Sequence, residues 1–478
     1  MTLTKTLLQS AIALLVLTIL YAFLRILHSL FLHPLRSFPG PLSTSATIVA
    51  LQKAMLEGTF SLWLHKLHLE YGSTVRYAPN ELSFIHSAVW KDVYGSRTTN
   101  LFSKQKLFYS PDIFGDPPGI LRADTDSHAR QRKLVAHAFS DKALRQQEFI
   151  LKHYAKLLIE KLTKAAWDHG EVDLARFYNF TTFDIMTDLT FLGVIKRWPL
   201  TNALLQRCLP KARKEKLKHH LLFSVERVNK RLRQKTDRPD FLTYILRHRE
   251  DENGNTFGLA ASEMYSNAGL FMIAGTETTA TVLSGITYYL HRNPQKLARL
   301  QAEVRNAFES IDNISMMKLS QMRYLCACVE EGLRVYPPVP GIIPRETPEA
   351  GANVAGRWVP GGTVVSIANY AAYHSPSNFK DPDAFVPKRW LPEGQYEYGA
   401  DNKQVFNPFS YGPRNCLGKK HVLTAANLAY HEMRLILASV ILSFDMELCK
   451  EAEHWIQQKN YIVWEKPDMK VKIAPVTN

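Results

Sequence analysis

From Thr6 to Leu24 the chain runs nineteen positions without a charged side chain. About 20 apolar residues in a helix span the hydrocarbon core of a bilayer, whereas a secretory signal has a shorter apolar region of about 7–15 residues. No small-x-small cleavage site follows Leu24, so the pattern predicts a retained, single-pass anchor. Lys5 precedes it, and Arg25 and Arg36 follow with His28 and His33, which places the C-terminal flank on the cytoplasmic side. Residues 1–33 are therefore expected to form the anchor, 34–58 a proline-containing linker and the start of the soluble domain, and 59–478 that domain. The linker stretch Pro34–Pro41 breaks helix and reads as stiff.

Beyond it the apolar positions mostly recur at helical spacing. Thr59–Tyr71 reads as an amphipathic helix ended by Gly72, and Thr74–Tyr77 with Leu82–Ile85 as a hairpin. Ser87 is placed to cap a short helix reaching Tyr94. Residues 95–119 are rich in Pro, Gly, Phe and Tyr, which suits either a connector or the wall of an apolar pocket. A helix is expected from His128 to Phe139, and a long amphipathic one from Ser140 or Asp141 through Trp167. Ser262–His291 is apolar on most sides and predicts a core helix of roughly 45 Å. Val422–Leu442 is apolar and helix-like, and Thr363–Ile367 follows a Pro-Gly-Gly turn as a strand. The fold class is mainly α with small β-sheets (α+β).

Composition narrows the picture. The 478 residues are 46% hydrophobic, ample for a large core, and carry a net charge of +15. No zinc-finger spacing or RNA-binding signature accompanies that charge, so no nucleic-acid partner is expected. Residues 207–238 hold twelve Lys or Arg against three acids, at intervals that fit a solvated basic helix or a membrane-surface contact. The five cysteines are odd in number and scattered, and read as reduced thiols.

The chemistry concentrates in three places. In Phe406–Gly418, Cys416 sits in a loop with two prolines and two glycines, directly before the apolar run. A helix N-terminus beside a thiol favours the thiolate, Gly412 and Gly418 would let a flat bulky group approach, and Arg414 adds a cation. An isolated cysteine of this kind is more often a buried structural one. Within the core helix, Ala274-Gly275-Thr276-Glu277-Thr278-Thr279 is a poor helical sequence. It fits either a kink with Thr hydroxyls bonded back to carbonyls or a widened turn that admits dioxygen and water. Glu331 and Arg334 lie one turn apart on a helix stopped by Pro337-Pro338 and can pair.

The pattern Phe-x-x-Gly-x-Arg-x-Cys-x-Gly from Phe409 to Gly418 resembles the haem-thiolate loop of the cytochrome P450 family, and the other two places occur in that family's order. The resemblance implies the cytochrome P450 fold and haem b with Cys416 as axial iron ligand. It implies Glu277 and Thr278 as the acid–alcohol pair of a proton relay, with Ala274 and Gly275 against the haem face. His128 and Arg132 match a helix whose arginine contacts a propionate, with His128 where tryptophan is common. Arg345 is a second propionate candidate, and Val339–Arg345 would line the pocket. Phe385–Trp390 resembles the segment whose arginine, here Arg389, joins Glu331 and Arg334 in a structural cluster. Arg130, Lys133, Lys419 and Lys420 would face an acidic redox partner.

The implied activity is insertion of one oxygen atom from O2 into a lipophilic substrate, as in fungal secondary-metabolism members. Electrons would come from NADPH through a separate NADPH-cytochrome reductase, because no dinucleotide or flavin fingerprint is fused to the domain. The anchor implies the endoplasmic reticulum membrane with the catalytic domain cytoplasmic. The chain departs from the family near Asp188–Ile195, where Thr190-Phe191 runs into Lys196-Arg197-Trp198-Pro199 and a pocket-roofing stretch of a few dozen residues is short. Rival readings are a haem-thiolate isomerase or peroxide-using enzyme, an electron-transfer haem protein, and an inactive membrane-tethered one. The intact Glu277-Thr278 pair argues for oxygen activation.

Overall fold

The charge-free segment lies in one helix, α1 (Thr2–Leu27), continued by a widened helical turn over His28–Leu32. Its apolar side chains are exposed along its length, and it is long and apolar enough to cross a membrane. The computed structural model describes residues 2–95, 101–106, 108–109, 119–189, 241, 258–419 and 428–476.

The segment after α1 is docked, not a free tether. Ser29 is buried and its hydroxyl donates to the Ser45 carbonyl at 2.5 Å. The Arg76 guanidinium, 1% exposed, donates to the Ser29 carbonyl at 3.1 Å, to the Ser29 hydroxyl at 3.0 Å and to the Pro79 carbonyl at 2.7 Å. Arg76 N–H also reaches the Pro39 carbonyl, and Thr44 Oγ1 the Arg76 carbonyl. The proline-rich linker thereby lies against the first strand.

The principal helices of the soluble part are α2 (Phe60–Tyr71), α3 (Thr125–Val135), α4 (Asp141–His169), α5 (Leu174–Leu189), α6 (Ala261–His291), α7 (Pro294–Ala307), α8 (Arg323–Val335) and α9 (Leu428–Ser443). Their ends follow local chemistry. Asp124 caps α3 by accepting from Ser127 N–H at 2.8 Å, and Ser140 caps α4 through Ala143 N–H. Gly170 ends α4 at φ +69°. Near Tyr94 the outcome differs from expectation: Ser87 makes no side-chain cap there, and His86 Nδ1 instead accepts from Ala88 N–H. The apolar run after Cys416 is helical from Leu428, while residues 420–427, and Lys420 with them, lie outside the described residues, as do 207–238 and most of 95–119.

The strands are β1 (Thr74–Ala78), β2 (Glu81–Phe84), β3 (Ser103–Lys104), β4 (Glu171–Asp173), β5 (Arg345–Glu346), β6 (Ala352–Val354), β7 (Arg357–Val359), β8 (Val364–Ile367), β9 (Phe444–Leu448) and β10 (Lys470–Pro475). They form a five-stranded sheet ordered β1-β2-β8-β5-β3, a three-stranded sheet β4-β10-β9 and a β6-β7 pair. β2 and β8 run parallel with Leu82 opposite Val365, and the other neighbours are antiparallel.

Two apolar cores result among the described residues. The larger surrounds α6, which is buried on every side from Thr279 to Tyr288 and packs against α5, α8 and α9. The smaller fills the five-stranded sheet around Tyr77, Phe84 and Ile367. This is the mainly helical architecture with small sheets that the sequence pattern predicts.

Candidate active site

A cavity of about 350 Å³ is walled by α6, by the Cys416 loop, by α3 and by β5. It gathers Cys416, Arg414, Phe409, Gly418, Arg132, His128, Arg345, Ala274, Gly275 and Thr278, residues that the sequence scatters over 291 positions. Of the predicted site residues, only Gly412 and Glu277 are not part of its wall. Most of the remaining lining is apolar, including Phe139, Met186, Phe271 and Val282.

Backbone geometry builds the loop. Cys416 N–H donates to the Phe409 carbonyl at 2.9 Å, and Asn415 N–H to the Gly412 carbonyl at 3.1 Å. Ser410 at φ +62° and Gly412 at φ +74° are both left-handed, the first a strained conformation for a residue with a Cβ. Gly412 is required by the protein itself, because a Cβ there would stand 1.9 Å from the Tyr94 carbonyl oxygen. The expectation that it clears space for a bound group is thus corrected. A Cβ at Gly418 would meet the Cys416 sulfur at 3.5 Å, an ordinary contact. Gly275 is also a packing residue: a Cβ would meet the Met186 side chain of α5 at 2.4 Å.

Arg132 clamps the loop, donating to the Asn415 carbonyl at 2.7 Å and also to its side-chain oxygen. Arg414 donates to the Ala123 carbonyl at 3.0 Å, and Arg345 to the Tyr109 hydroxyl at 3.0 Å. Behind the loop, Glu331 is fully buried and accepts five hydrogen bonds: from Arg334 Nη2 at 2.8 Å and Nε at 3.0 Å, Arg389 Nε at 3.1 Å, Val386 N–H at 2.7 Å and Trp390 Nε1 at 2.9 Å. Arg334 also donates to the carbonyls of Tyr373, Pro382 and Ala384. Arg389 bonds the carboxylate of buried Asp401 as well. Burial pushes the Glu331 carboxyl up, but Arg334 and Arg389 more than offset it and hold the group below its ordinary value. Trp390, Asp401 and Asn415 were not foreseen from sequence.

The electrostatics of the cavity are one-sided. Lys104, His128, Arg132, Arg345 and Arg414 all line it. Burial, and then the charges of Arg414, Lys104, Arg132 and Arg345, press His128 down to about 3. Burial together with Arg414 and Arg345 brings Lys104 down to about 6. The one carboxyl in the described lining, Glu432, is 1% exposed, accepts from Thr279 Oγ1 at 3.4 Å, and burial pushes it up to about 8, so it is mostly neutral at pH 7. The described lining therefore holds excess positive charge that an anionic ligand would compensate.

Cys416 is exposed to this cavity, at the foot of a crowded wall of protein atoms. Burial raises its thiol above the ordinary value, against the opposing pull of the Gly418 and Lys419 N–H groups and of Arg132 and Lys419. The expected thiolate is thus not favoured by the protein alone, while a bound metal cation deprotonates a coordinating thiol outright. A soft sulfur donor, small residues at Ala274 and Gly275, and bases that have no ion pair among the described residues fit a haem with its two propionates.

Thr278 and Glu277 part company. Thr278 faces the cavity and its hydroxyl donates to the Ala274 carbonyl at 2.5 Å. Glu277 instead accepts from Lys466 Nζ at 2.8 Å; the Lys466 side chain is 6% exposed and that of Glu277 38%. Lys466 also reaches Thr281 Oγ1 at 2.9 Å. The shortened stretch near Phe191 lies outside the described residues from position 190 onward.

A family model described as Cytochrome P450 matches residues 192–473. The chain is also similar over nearly its full length to cytochrome P450 monooxygenase lcsI of Purpureocillium lilacinum, 38% identical across 96% of this chain and 93% of that protein. It is 40% identical to cytochrome P450 monooxygenase FUM2 of Gibberella moniliformis, across 94% of this chain and 99% of that one. Against efuB of Hormonema carpetanum it is 37% identical, across 95% and 94%. The alignment with lcsI extends over 495 positions, more than the 478 residues of this chain, so that relative carries residues with no counterpart here.

Proposed function

From the premise that the chain belongs to the cytochrome P450 family, we propose that it is a haem-dependent monooxygenase that inserts one atom of O2 into a lipophilic substrate in fungal secondary metabolism. The observation that carries the reading is one cavity in which a cysteine, a group of bases with no ion pair among the described residues, and a helix threonine meet.

Haem iron with a thiolate ligand supplies, when bound, activation of O2 and cleavage of its O–O bond. Cys416 would bind the iron of haem b, its sulfur eased toward the anionic form by the Gly418 and Lys419 N–H groups. Arg132, Arg345 and Arg414 would hold the propionates, with His128 as a further donor. Phe409, Ala274 and Gly275 would contribute wall to the haem site, and the apolar lining would exclude water and accept a lipophilic substrate. Thr278 holds a proton at Oγ1 that now points to the Ala274 carbonyl and on rotation about χ1 can be offered to the cavity. Glu277, partly exposed, is the candidate that replenishes it from solvent.

Electrons are assigned to NADPH through a separate reductase. α1 is assigned to the endoplasmic reticulum membrane as a single pass with residues 59–478 cytoplasmic, on the support of its exposed apolar surface and basic C-terminal flank. The test is reduced-plus-CO difference spectroscopy on the full chain in membranes. A thiolate-type Soret band that disappears in Cys416→Ala is expected, and its absence from the wild-type protein would sink the haem assignment.

A further inference from the structure

Glu330 and Glu331 are neighbours on α8 but serve different partners. Glu331 holds the Arg334–Arg389 cluster, whereas Glu330 Oε2 accepts from the Tyr430 hydroxyl of α9 at 2.9 Å. The Tyr430 ring packs on the Phe409 ring, with centroids 5.2 Å apart and planes at 43°. A cation stands over each ring: the Arg434 guanidinium 5.0 Å from the Tyr430 centroid, and the Lys419 ammonium 5.9 Å from that of Phe409. Lys419, which the sequence offered only as a docking base, is thus engaged beside the loop. Its N–H donates to the Cys416 carbonyl at 3.3 Å, while the Phe409 carbonyl takes the Cys416 N–H at 2.9 Å. Two backbone bonds that fix Cys416 therefore run from Phe409 and Lys419, the residues at one end of this ladder.

We propose that Tyr430, fixed by Glu330, is a positioning residue for the Cys416 loop. It immobilises the Phe409 ring, and with it the carbonyl that holds the Cys416 N–H, so that the sulfur keeps one geometry toward its metal. The device is separate from the Glu331 cluster, which joins α8 to Arg389 and Trp390. Neither Tyr430 nor Glu330 lines the cavity, so neither touches substrate or cofactor. The proposal rests on the assignment of Cys416 as a haem ligand.

The experiment follows loss of the thiolate-type Soret band in the reduced CO complex of the full-length, haem-loaded protein in mild guanidinium. In Tyr430→Phe, which keeps the ring and removes the hydroxyl, the band should decay about tenfold faster than in wild type, the ratio that about 1.4 kcal/mol produces. Glu330→Gln retains an acceptor and should stay within about twofold of wild type, whereas Glu330→Leu should match Tyr430→Phe, and the double variant should add nothing further. Tyr178→Phe is the control: it removes another buried phenol hydroxyl, 3.0 Å from Thr287 Oγ1 and outside the cavity lining, and should leave the decay unchanged. Equal decay in Tyr430→Phe and wild type overturns the proposal, as does equally fast decay in Tyr178→Phe. Should Tyr430→Phe fail to load haem while Tyr178→Phe loads normally, the positioning role is supported in its extreme form. A wild-type protein with no such band refutes the haem assignment instead, so the two failures are distinct.

Discussion

Replacing Glu331 with glutamine removes one charge and keeps the shape, and its cost follows from the bonds around it. The carboxylate takes five donors with no solvent contact, three of them from two guanidiniums that are themselves fully buried. Arg389 keeps Asp401, but among the described residues Arg334 has no other carboxylate and is left with carbonyls. The amide also turns an –NH2 toward groups that can only donate. Removing one partner of a buried ion pair costs about 3–5 kcal/mol, a large share of the roughly 5–15 kcal/mol by which a folded protein is stable. Glu331→Gln should therefore lower unfolding free energy by about 3–5 kcal/mol in guanidinium titrations followed by circular dichroism, with haem lost in the same transition. The wild-type protein should show the matching pH dependence. A carboxyl held below its ordinary value in the folded state contributes stability above the unfolded value, about 4.3, and loses it as pH falls through the lower folded value. Stability attributable to Glu331 should thus be flat from neutral pH down to about 5 and fall only at more acid pH, with that dependence absent in Glu331→Gln. A loss under about 1 kcal/mol would refute the argument, because it would mean that water or rearrangement satisfies Arg334 without the carboxylate.

Three further outcomes are expected. Thr278→Ala should retain haem but consume NADPH without forming product, read as the ratio of product to NADPH oxidised; unchanged coupling would remove Thr278 from the relay. Gly412→Ala places a Cβ 1.9 Å from the Tyr94 carbonyl at a φ of +74°, so it should destabilise by about 1–3 kcal/mol or more and impair haem loading; a thermal melt equal to wild type would contradict the close approach. Arg76→Ala strips donors from the Ser29 and Pro79 carbonyls, about 1–3 kcal/mol of unsatisfied backbone, and should speed proteolysis of the full chain between residues 28 and 48; unchanged cleavage would show that the anchor is docked by other contacts.

Which parts were legible in the sequence follows from how far apart in the chain the partners lie. Cys416, Phe409, Arg414 and Gly418 share one short loop, and Glu331 and Arg334 one helical turn, so fixed spacing exposed them. The long buried helix declared itself by apolar residues on all sides, and α1 by an uncharged run longer than any signal sequence needs. Asp401, Trp390 and Lys466 reach their partners from 12, 59 and 189 positions away, and only the folded chain joins them. Gly412 was visible as a glycine but not by its reason, which is a carbonyl 318 residues earlier in the chain.

The acid–alcohol pair shows most plainly what spacing omits. Adjacent residues on a helix point about 100° apart, and here that step puts Thr278 and Thr279 on the cavity wall and Glu277 outside it. Lys466 occupies the place where Glu277 then arrives, and a cation that is 6% exposed has its own desolvation to offset and so a strong need of that carboxylate. The two residues of the motif thus serve different walls of α6. For a proton to pass from Glu277 to Thr278, either the Lys466 pair must open or water must bridge the turn between them. The C-terminal segment that carries Lys466 is therefore mechanically part of the relay proposed for α6, although nothing in its own sequence carries that chemistry.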